Sequence, residues 1–360
     1  WQTMAEARAA LESRLNIPPP EPLQPPWALF DPQGKRIEDV AALQRPGVVF
    51  LIILGQWMWP AVRVGFEQQA EGVLGGEPLT LRTLSLRPVV FQVEGFILPS
   101  EADHVVDMGK NMNMFNSEGA LITADVKSNR RHDDYRTSTQ AWLSSHDSPV
   151  VRRLDERTSN LTRVPKSHNE EVQLLRYGEG QFYHSHLDWT HLPLYNGQRN
   201  QWRSVHYGWA DRMATLFWYL NDVEEGGATV FPKHGQPICP GVYNRCKGAH
   251  DPSPRRCDVG LQVKPKRGAV VLWYNYHADG RGDHNALHGG CPPAKGLEKW
   301  SGNKWINIKP RSLRTPEWMP DHPALTRYGW RDEARRQSPP KSHPMRCTFA
   351  ARSQYSEDLD

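Results

Sequence analysis

From residue 172 onwards the apolar residues of this chain arrive in short runs, at 172–175, 214–220, 261–263, 269–273 and 304–308, with Gly, Pro and Asn punctuating the gaps. Runs this short are not helices, whose apolar stripe recurs over roughly ten residues or more, and they read as strands of a jelly roll or barrel. Upstream the period changes. Ala102, Val105, Val106, Gly109 and Met112 follow Ser100-Glu-Ala-Asp103 at helical spacing, a Ser-x-x-Asp start in which both side chains can satisfy free N–H groups of the first turn. A second helix is expected from Asp147 to Pro149 onwards, carrying Val150, Val151, Leu154 and Leu161 inward. Two helices followed by many short strands predict an α+β chain.

Ahead of these elements lie a short helix, an extended proline-rich stretch at 18–26, and strands at 48–54 and 79–92; beyond 311 the chain turns polar with no sustained period. With 38% hydrophobic and 23% charged residues, the 360-residue chain is neither disordered nor a coiled coil. Its 44 Lys and Arg against 40 Asp and Glu leave a net charge of +4, too thin for a nucleic-acid footprint, so no nucleic-acid partner is expected. The charge-free stretch 46–62 falls short of the roughly 20 residues of a membrane span and reads as a buried strand. The chain opens at Trp1 without a targeting segment, and a membrane anchor upstream of it is left open. Cys239, Cys246 and Cys257 crowd one segment, with Cys291 not far beyond. None forms a Cys-x-x-Cys pair, so one or two disulfides around 239–257, with Cys347 left over, are expected rather than zinc. With the sequon Asn160-Leu-Thr162, they point to the secretory pathway, in the endoplasmic reticulum or Golgi lumen.

Chemistry concentrates in Arg176-Tyr-Gly-Glu-Gly-Gln-Phe-Tyr-His-Ser-His-Leu-Asp188 and in Ala286-Leu-His-Gly-Gly-Cys-Pro292. A His-x-Asp pair with a distant third His is the pattern of a facial triad, two imidazoles and one carboxylate around Fe(II) with three positions open. Alternate strand residues share a face, so His186 and Asp188 can converge on one ion while Leu187 packs away from it. The pair alone is weak: 15 His and 40 acids predict about two His-x-acid matches by chance, and the chain has four, at His132/Asp134, His168/Glu170, His186/Asp188 and His277/Asp279.

A resemblance separates them. Residues 88–310 resemble the catalytic domain of the prolyl 4-hydroxylases, Fe(II)- and 2-oxoglutarate-dependent oxygenases. The similarity runs in order through Pro88-Val-Val-Phe-Gln-Val-Glu-Gly-Phe-Ile97, Arg136-Thr-Ser-Thr-Gln-Ala-Trp-Leu143, Glu170 and Gln173 leading to Tyr177 and Tyr183, and the run from Arg212 to Pro232 containing Glu-Glu-Gly-Gly-Ala-Thr229. It closes with 264–273, Leu287-His-Gly-Gly-Cys-Pro292 and Lys299-Trp-Ser-Gly-Asn-Lys-Trp305. The fold it implies is a double-stranded β-helix (jelly roll) with supporting N-terminal helices. The chain then divides into a proline-rich arm at 1–29, a β-containing extension at 30–87, the oxygenase domain at 88–310 and a tail at 311–360.

The resemblance implies that His186, Asp188 and His288 are the iron ligands, with His184 and His284 as decoys. The retained carboxylate of Asp188 implies hydroxylation rather than halogenation. Lys299 is the expected partner of the remote carboxylate of 2-oxoglutarate; it stands one residue further from the distal His than the family's lysine does, and Lys295 and Lys304 remain alternatives. Tyr177, Tyr183, Thr229 and Trp305 match positions that bond or wall the cosubstrate, and Arg212 and Glu170 match positions that contact peptide. Asn307 stands where many relatives have His. The implied activity is 4-hydroxylation of peptidyl proline in proline-rich or collagen-like polypeptides, with 2-oxoglutarate and O2 as cosubstrates and L-ascorbate as auxiliary; need for a disulfide-isomerase partner stays open. The same chemistry on another peptidyl residue or a free amino acid is the alternative, ahead of a silent proline-rich-peptide binding module. Insertions at 189–211, rich in Trp, His and Tyr, and at 233–260, holding three of the cysteines, are expected to enlarge the mouth.

Overall fold

The computed structural model describes residues 1–17, 25–45, 47–117, 136–189, 211–237 and 257–310, all within the first of two units, Trp1–Met319 and Pro320–Asp360. Most of the proline-rich stretch, the His132/Asp134 pair, most of both insertions, Cys239, Cys246, Cys347 and the tail lie outside the described residues.

The strands, in chain order, are β1 (Ala28–Phe30), β2 (Phe50–Ile52), β3 (Glu67–Ala70), β4 (Leu79–Leu86), β5 (Val89–Val93), β6 (Phe115–Asn116), β7 (Thr139–Leu143), β8 (Val172–Tyr177), β9 (Tyr183–His186), β10 (Arg212–Tyr219), β11 (Thr229–Phe231), β12 (Leu261–Val263), β13 (Val270–Tyr274), β14 (His288–Gly290) and β15 (Lys299–Asn307). They form a two-stranded sheet, β1-β2, a nine-stranded sheet ordered β3-β4-β5-β13-β10-β15-β8-β7-β6, and a four-stranded sheet ordered β12-β11-β14-β9. From β8 to β15 the chain crosses repeatedly between the two larger sheets, so that β8, β10, β13 and β15 lie in one and β9, β11, β12 and β14 in the other. That is the double-stranded β-helix, and every ladder within it is antiparallel.

β10, in the middle of the large sheet, is buried on both faces, which is why it reads as a near-continuous apolar run rather than an alternation. Leu216 and Trp218 join the core beneath the helices, whereas Phe217 and Tyr219 point into the roll with Tyr177, Phe231, Val271 and Trp273. The helix Pro149–Thr162 is capped by Ser148, whose Oγ accepts from the Val150 N–H, and buries Val151, Leu154 and Leu161 as expected. The other helix begins earlier than expected, at Pro99 rather than after a Ser100 cap. Pro99 lacks an N–H to satisfy, and the Leu98 N–H donates to Glu101 instead. Gly109 of this helix lies so close to the sheet that a Cβ there would sit 2.6 Å from Leu174 and Trp300. Glu101 receives a two-pronged bond from Arg157 at 2.7 and 3.1 Å, tying the helices together.

Residues 79–92 form two strands, not one: β4 and β5 turn at Arg87 and Pro88 and continue the large sheet beyond β13. The 48–54 run contributes only the short β2, followed by a chain segment whose Ile53 and Leu54 N–H groups both donate to the Ala278 carbonyl. Trp57 meets Phe50 and Trp59 edge to face and Phe30 at a tilt, and the Trp59 N–H donates to the Tyr274 hydroxyl at the end of β13. Trp27 receives Arg8 of the first helix, Met4–Leu15, over its ring and donates to Glu12. Among the described residues no helix is long and apolar enough to cross a membrane.

Candidate active site

His186 ends β9 and His288 begins β14, and the two are register partners across that antiparallel pair. Asp188 lies two residues past the end of β9, so it reaches the centre from the turn after the strand rather than from the strand face expected of an alternating pair. One nitrogen or oxygen from each of the three lies within 4.8 Å of the others. The Nδ1 atoms of both imidazoles face backbone carbonyls two residues earlier, His184 O at 2.8 Å and Ala286 O at 2.9 Å. A carbonyl only accepts, so each Nδ1 carries the proton and each Nε2 presents its lone pair to the centre, the arrangement a metal requires.

The electrostatics agree. Burial would raise the Asp188 carboxyl, but His288, His186 and Arg212 overcome it and hold it well below the usual carboxylate range. Burial lowers His288 to about 4, partly opposed by Asp188. An ionised carboxylate and a neutral imidazole are what a divalent cation needs. Asp188 Oδ2 accepts from Thr215 Oγ1 at 2.7 Å and from Trp305 Nε1 at 2.9 Å.

His184 is excluded by a bulge. The four residues Tyr183–His186 of β9 span the three residues His288–Gly290 of β14, and the extra residue breaks the alternation. Tyr183 thereby shares a side with His186 and stacks on its ring at 3.7 Å, while His184 packs against Phe182. His284 packs against Trp189 instead of joining the cluster. The rival His-x-acid pairs among the described residues are committed elsewhere: His168 Nδ1 bonds the Asn307 carbonyl, Glu170 binds Arg212, His277 faces Asp283, and Asp279 pairs with Arg281.

Lys299 opens β15 and points into the roll, buried among the rings of Phe217, Tyr219 and Tyr177 at 5.0, 5.4 and 5.5 Å. Among the described residues its Nζ has no hydrogen-bond partner, and burial pushes its pKa down to about 7. An unpartnered buried ammonium is costly, and this one fits the remote carboxylate of a dicarboxylic acid whose other end lies at the triad. The alternatives are spent or misplaced: Lys304 points to the other face, pairing with Asp155 and donating to the Glu170 carbonyl, and Lys295 is exposed. Thr229 accepts from the Tyr219 hydroxyl at 2.8 Å at the Lys299 end, while Tyr183, its phenol pushed up to about 12 by burial, lines the triad end. Burial likewise raises Tyr219, so it stays a neutral donor.

Arg212 and Glu170 form a two-pronged pair with each other at 2.7 and 2.9 Å, and the guanidinium lies 3.5 Å over Trp305. Asn307 donates to the His168 carbonyl and to Glu170, so it braces this pair. Three groups were not singled out from the sequence: Thr215 lies within the Arg212–Pro232 run, Asn275 follows an apolar strand, and Arg136, buried over the Tyr183 ring and bonded to Ser138 and Gln173, opens the Arg-Thr-Ser block. Cys257 is joined to Cys291, three residues beyond His288.

A 2OG-Fe(II) oxygenase superfamily model matches residues 172–307. The chain is 33% identical over 231 residues to Probable prolyl 4-hydroxylase 4 of Arabidopsis thaliana, covering 64% of this chain and 71% of that protein. It is 32% identical over 231 residues to Prolyl 4-hydroxylase 2 of the same plant, with the same coverage. Among solved structures, the viral collagen prolyl hydroxylase of Paramecium Bursaria Chlorella virus-1, in its 2OG complex, is similar at 22% identity and a TM-score of 0.39, over 60% of this chain and 94% of that one.

Proposed function

The chain belongs to the prolyl 4-hydroxylase family, and from that premise we propose that it is an Fe(II)- and 2-oxoglutarate-dependent dioxygenase that converts peptidyl proline to 4-hydroxyproline in proline-rich or collagen-like polypeptides. The observation that carries the reading is the pairing, within one roll, of the buried His186, Asp188 and His288 cluster with the unpartnered ammonium of Lys299.

In this reading His186 and His288 through Nε2, and Asp188 through one oxygen, hold Fe(II). Bound iron supplies the oxidative decarboxylation of 2-oxoglutarate by O2, which gives succinate and CO2 and delivers one oxygen atom to a prolyl C–H bond; L-ascorbate serves as auxiliary reductant. Lys299 neutralises the remote carboxylate, with Tyr177 and Thr229 beside it. Tyr183 and Trp305 wall the reacting end and keep water from it. Arg212, held flat on Trp305 by Glu170, is the group that meets the peptide backbone at the mouth. The Cys257–Cys291 disulfide supports an oxidising compartment, hence the secretory pathway.

The test is mass spectrometry of a proline-rich peptide panel incubated with the protein, Fe(II), 2-oxoglutarate and ascorbate, with His288→Ala as control. Peptides gaining one oxygen on proline, with no gain in the control, are the expected result. Succinate formed without any modified peptide moves the chemistry to another substrate, and no succinate from iron-loaded protein defeats the reading.

A further inference from the structure

Three neighbouring strands place Trp273, Thr215 and Trp305 in one row, Thr215 being the register partner of Trp273 on β13 and of Trp305 on β15. Two members of this row reach the same atom. Thr215 Oγ1 and Trp305 Nε1 both bond Asp188 Oδ2, at 2.7 and 2.9 Å. The third member acts at one remove: Trp273 Nε1 donates to Asn275 Oδ1 at 3.1 Å, and Asn275 Nδ2 donates to Thr215 Oγ1 at 3.1 Å.

The direction of this chain is forced. An indole N–H can only donate, so the Asn275 amide must turn its oxygen to Trp273 and its NH2 to Thr215. A threonine hydroxyl has one proton, and with Asn275 occupying it as acceptor that proton is left for the carboxylate, which when ionised only accepts. Trp273, Asn275 and Thr215 are fully buried, so no solvent competes for any link. Both oxygens face the cluster, Oδ1 lying 3.6 Å from His186 Nε2 and Oδ2 3.5 Å from His288 Nε2, but each carboxylate oxygen offers about two lone-pair sites and both on Oδ2 are taken, which leaves those of Oδ1 for a cation.

We propose that Thr215 is a positioning residue for Asp188, held in its donor orientation by Asn275, and that it restricts this carboxylate to a single metal-facing oxygen. The proposal rests on the metal-centre reading above. A carboxylate free to turn can present both oxygens to a cation and so occupy a position that cosubstrate or O2 requires; a carboxylate pinned at Oδ2 cannot. Trp305 alone is an insufficient pin, because one bond leaves the group free to swing about it.

The experiment titrates Co(II) into the full chain by calorimetry, with the visible spectrum of the bound ion recorded alongside, for wild type, Asp188→Ala, Thr215→Val and Thr215→Ser. Wild type should bind one Co(II) and Asp188→Ala should lose it. Thr215→Val should bind about 10- to 100-fold more weakly, the usual cost of losing an outer partner, with an altered spectrum, and Thr215→Ser should restore both. If the metal-free melting curve shows that Thr215→Val does not fold, Thr215→Ala, which cannot overfill the row, replaces it with the same expectation. Wild-type affinity and spectrum in the hydroxyl-free variant overturn the role of Thr215 and leave the metal centre standing. Absence of Co(II) binding by wild type overturns the centre and the proposal together.

Discussion

His186 and His288, separated by about a hundred residues of chain, face each other as direct partners across β9 and β14, with ring centroids 4.4 Å apart. Their spacing is therefore set by a backbone ladder rather than by the loops that connect them. Asp188→Asn keeps the size of the side chain and an oxygen to accept from Thr215 and Trp305, but removes the charge. It is expected to fold normally by circular dichroism and to lose Fe(II) by more than the roughly 10- to 100-fold that an outer-partner change costs, measured as metal retained after dialysis. Retention of a full equivalent would show that the three residues are not the metal ligands.

Replacing Lys299 by Met exchanges an unpartnered buried ammonium for an apolar chain of similar length. Losing one member of a buried charge pair costs on the order of 2–5 kcal/mol of binding, so the KM for 2-oxoglutarate should rise by at least about 30-fold. The cosubstrate-free protein should melt at a higher temperature than wild type, since the burial cost is gone. A variant with unchanged KM would place the remote carboxylate elsewhere.

Lys299 also sets a pH dependence. With its pKa pushed down to about 7, the ammonium loses its proton above that pH in the cosubstrate-free protein. A bound carboxylate favours the charged form, so binding above pH 7 must take up a proton and affinity must fall as pH rises, approaching tenfold per unit, while below pH 7 it is level. For the fold the sign is opposite. The unfolded lysine holds its proton to about pH 10.4, so between about 7 and 10 the unfolded chain binds more protons and cosubstrate-free stability rises with pH. Calorimetric titration in two buffers of different ionisation enthalpy checks the proton uptake, and melting curves between pH 6 and 9 check the second sign.

The Cys257–Cys291 disulfide closes a loop over a sequence separation of 34 residues, for which chain entropy gives about 3–4 kcal/mol. Cys257→Ser combined with Cys291→Ser should lower unfolding stability by that order in chemical denaturation. Because Cys291 lies three residues past His288 and bonds the Ala228 carbonyl through its N–H, the loss should also weaken metal retention. Unchanged retention would confine the bridge to a stabilising role.

Much of this site was legible in the sequence, and what escaped did so for physical reasons. The His-x-Asp spacing left four pairs open and the family resemblance singled out His186 and Asp188, yet the strand stops at His186 and a bulge reorders the faces, details that depend on the partner strand. The interior row of β15 is Lys299, Ser301, Asn303, Trp305 and Asn307, a clean alternation, but Ser-Gly-Asn in its middle reads as a turn, so only 304–308 suggested a strand. Thr215 was hidden among apolar neighbours because its role is made by Asp188, which arrives from the turn after β9. The helix start at Pro99 was misread because Ser100 is a good cap by composition, whereas the missing N–H of proline moves the boundary.

The solitary charge of Lys299 has a consequence beyond catalysis. A protein that carries a buried ammonium in its empty state and pairs it only when a dicarboxylate arrives is stabilised by that ligand in proportion to the logarithm of its concentration. Its resistance to proteolysis should therefore track the supply of 2-oxoglutarate, or of succinate, which has the same two carboxylate ends, so that the abundance of the enzyme follows the metabolic state of the compartment that houses it.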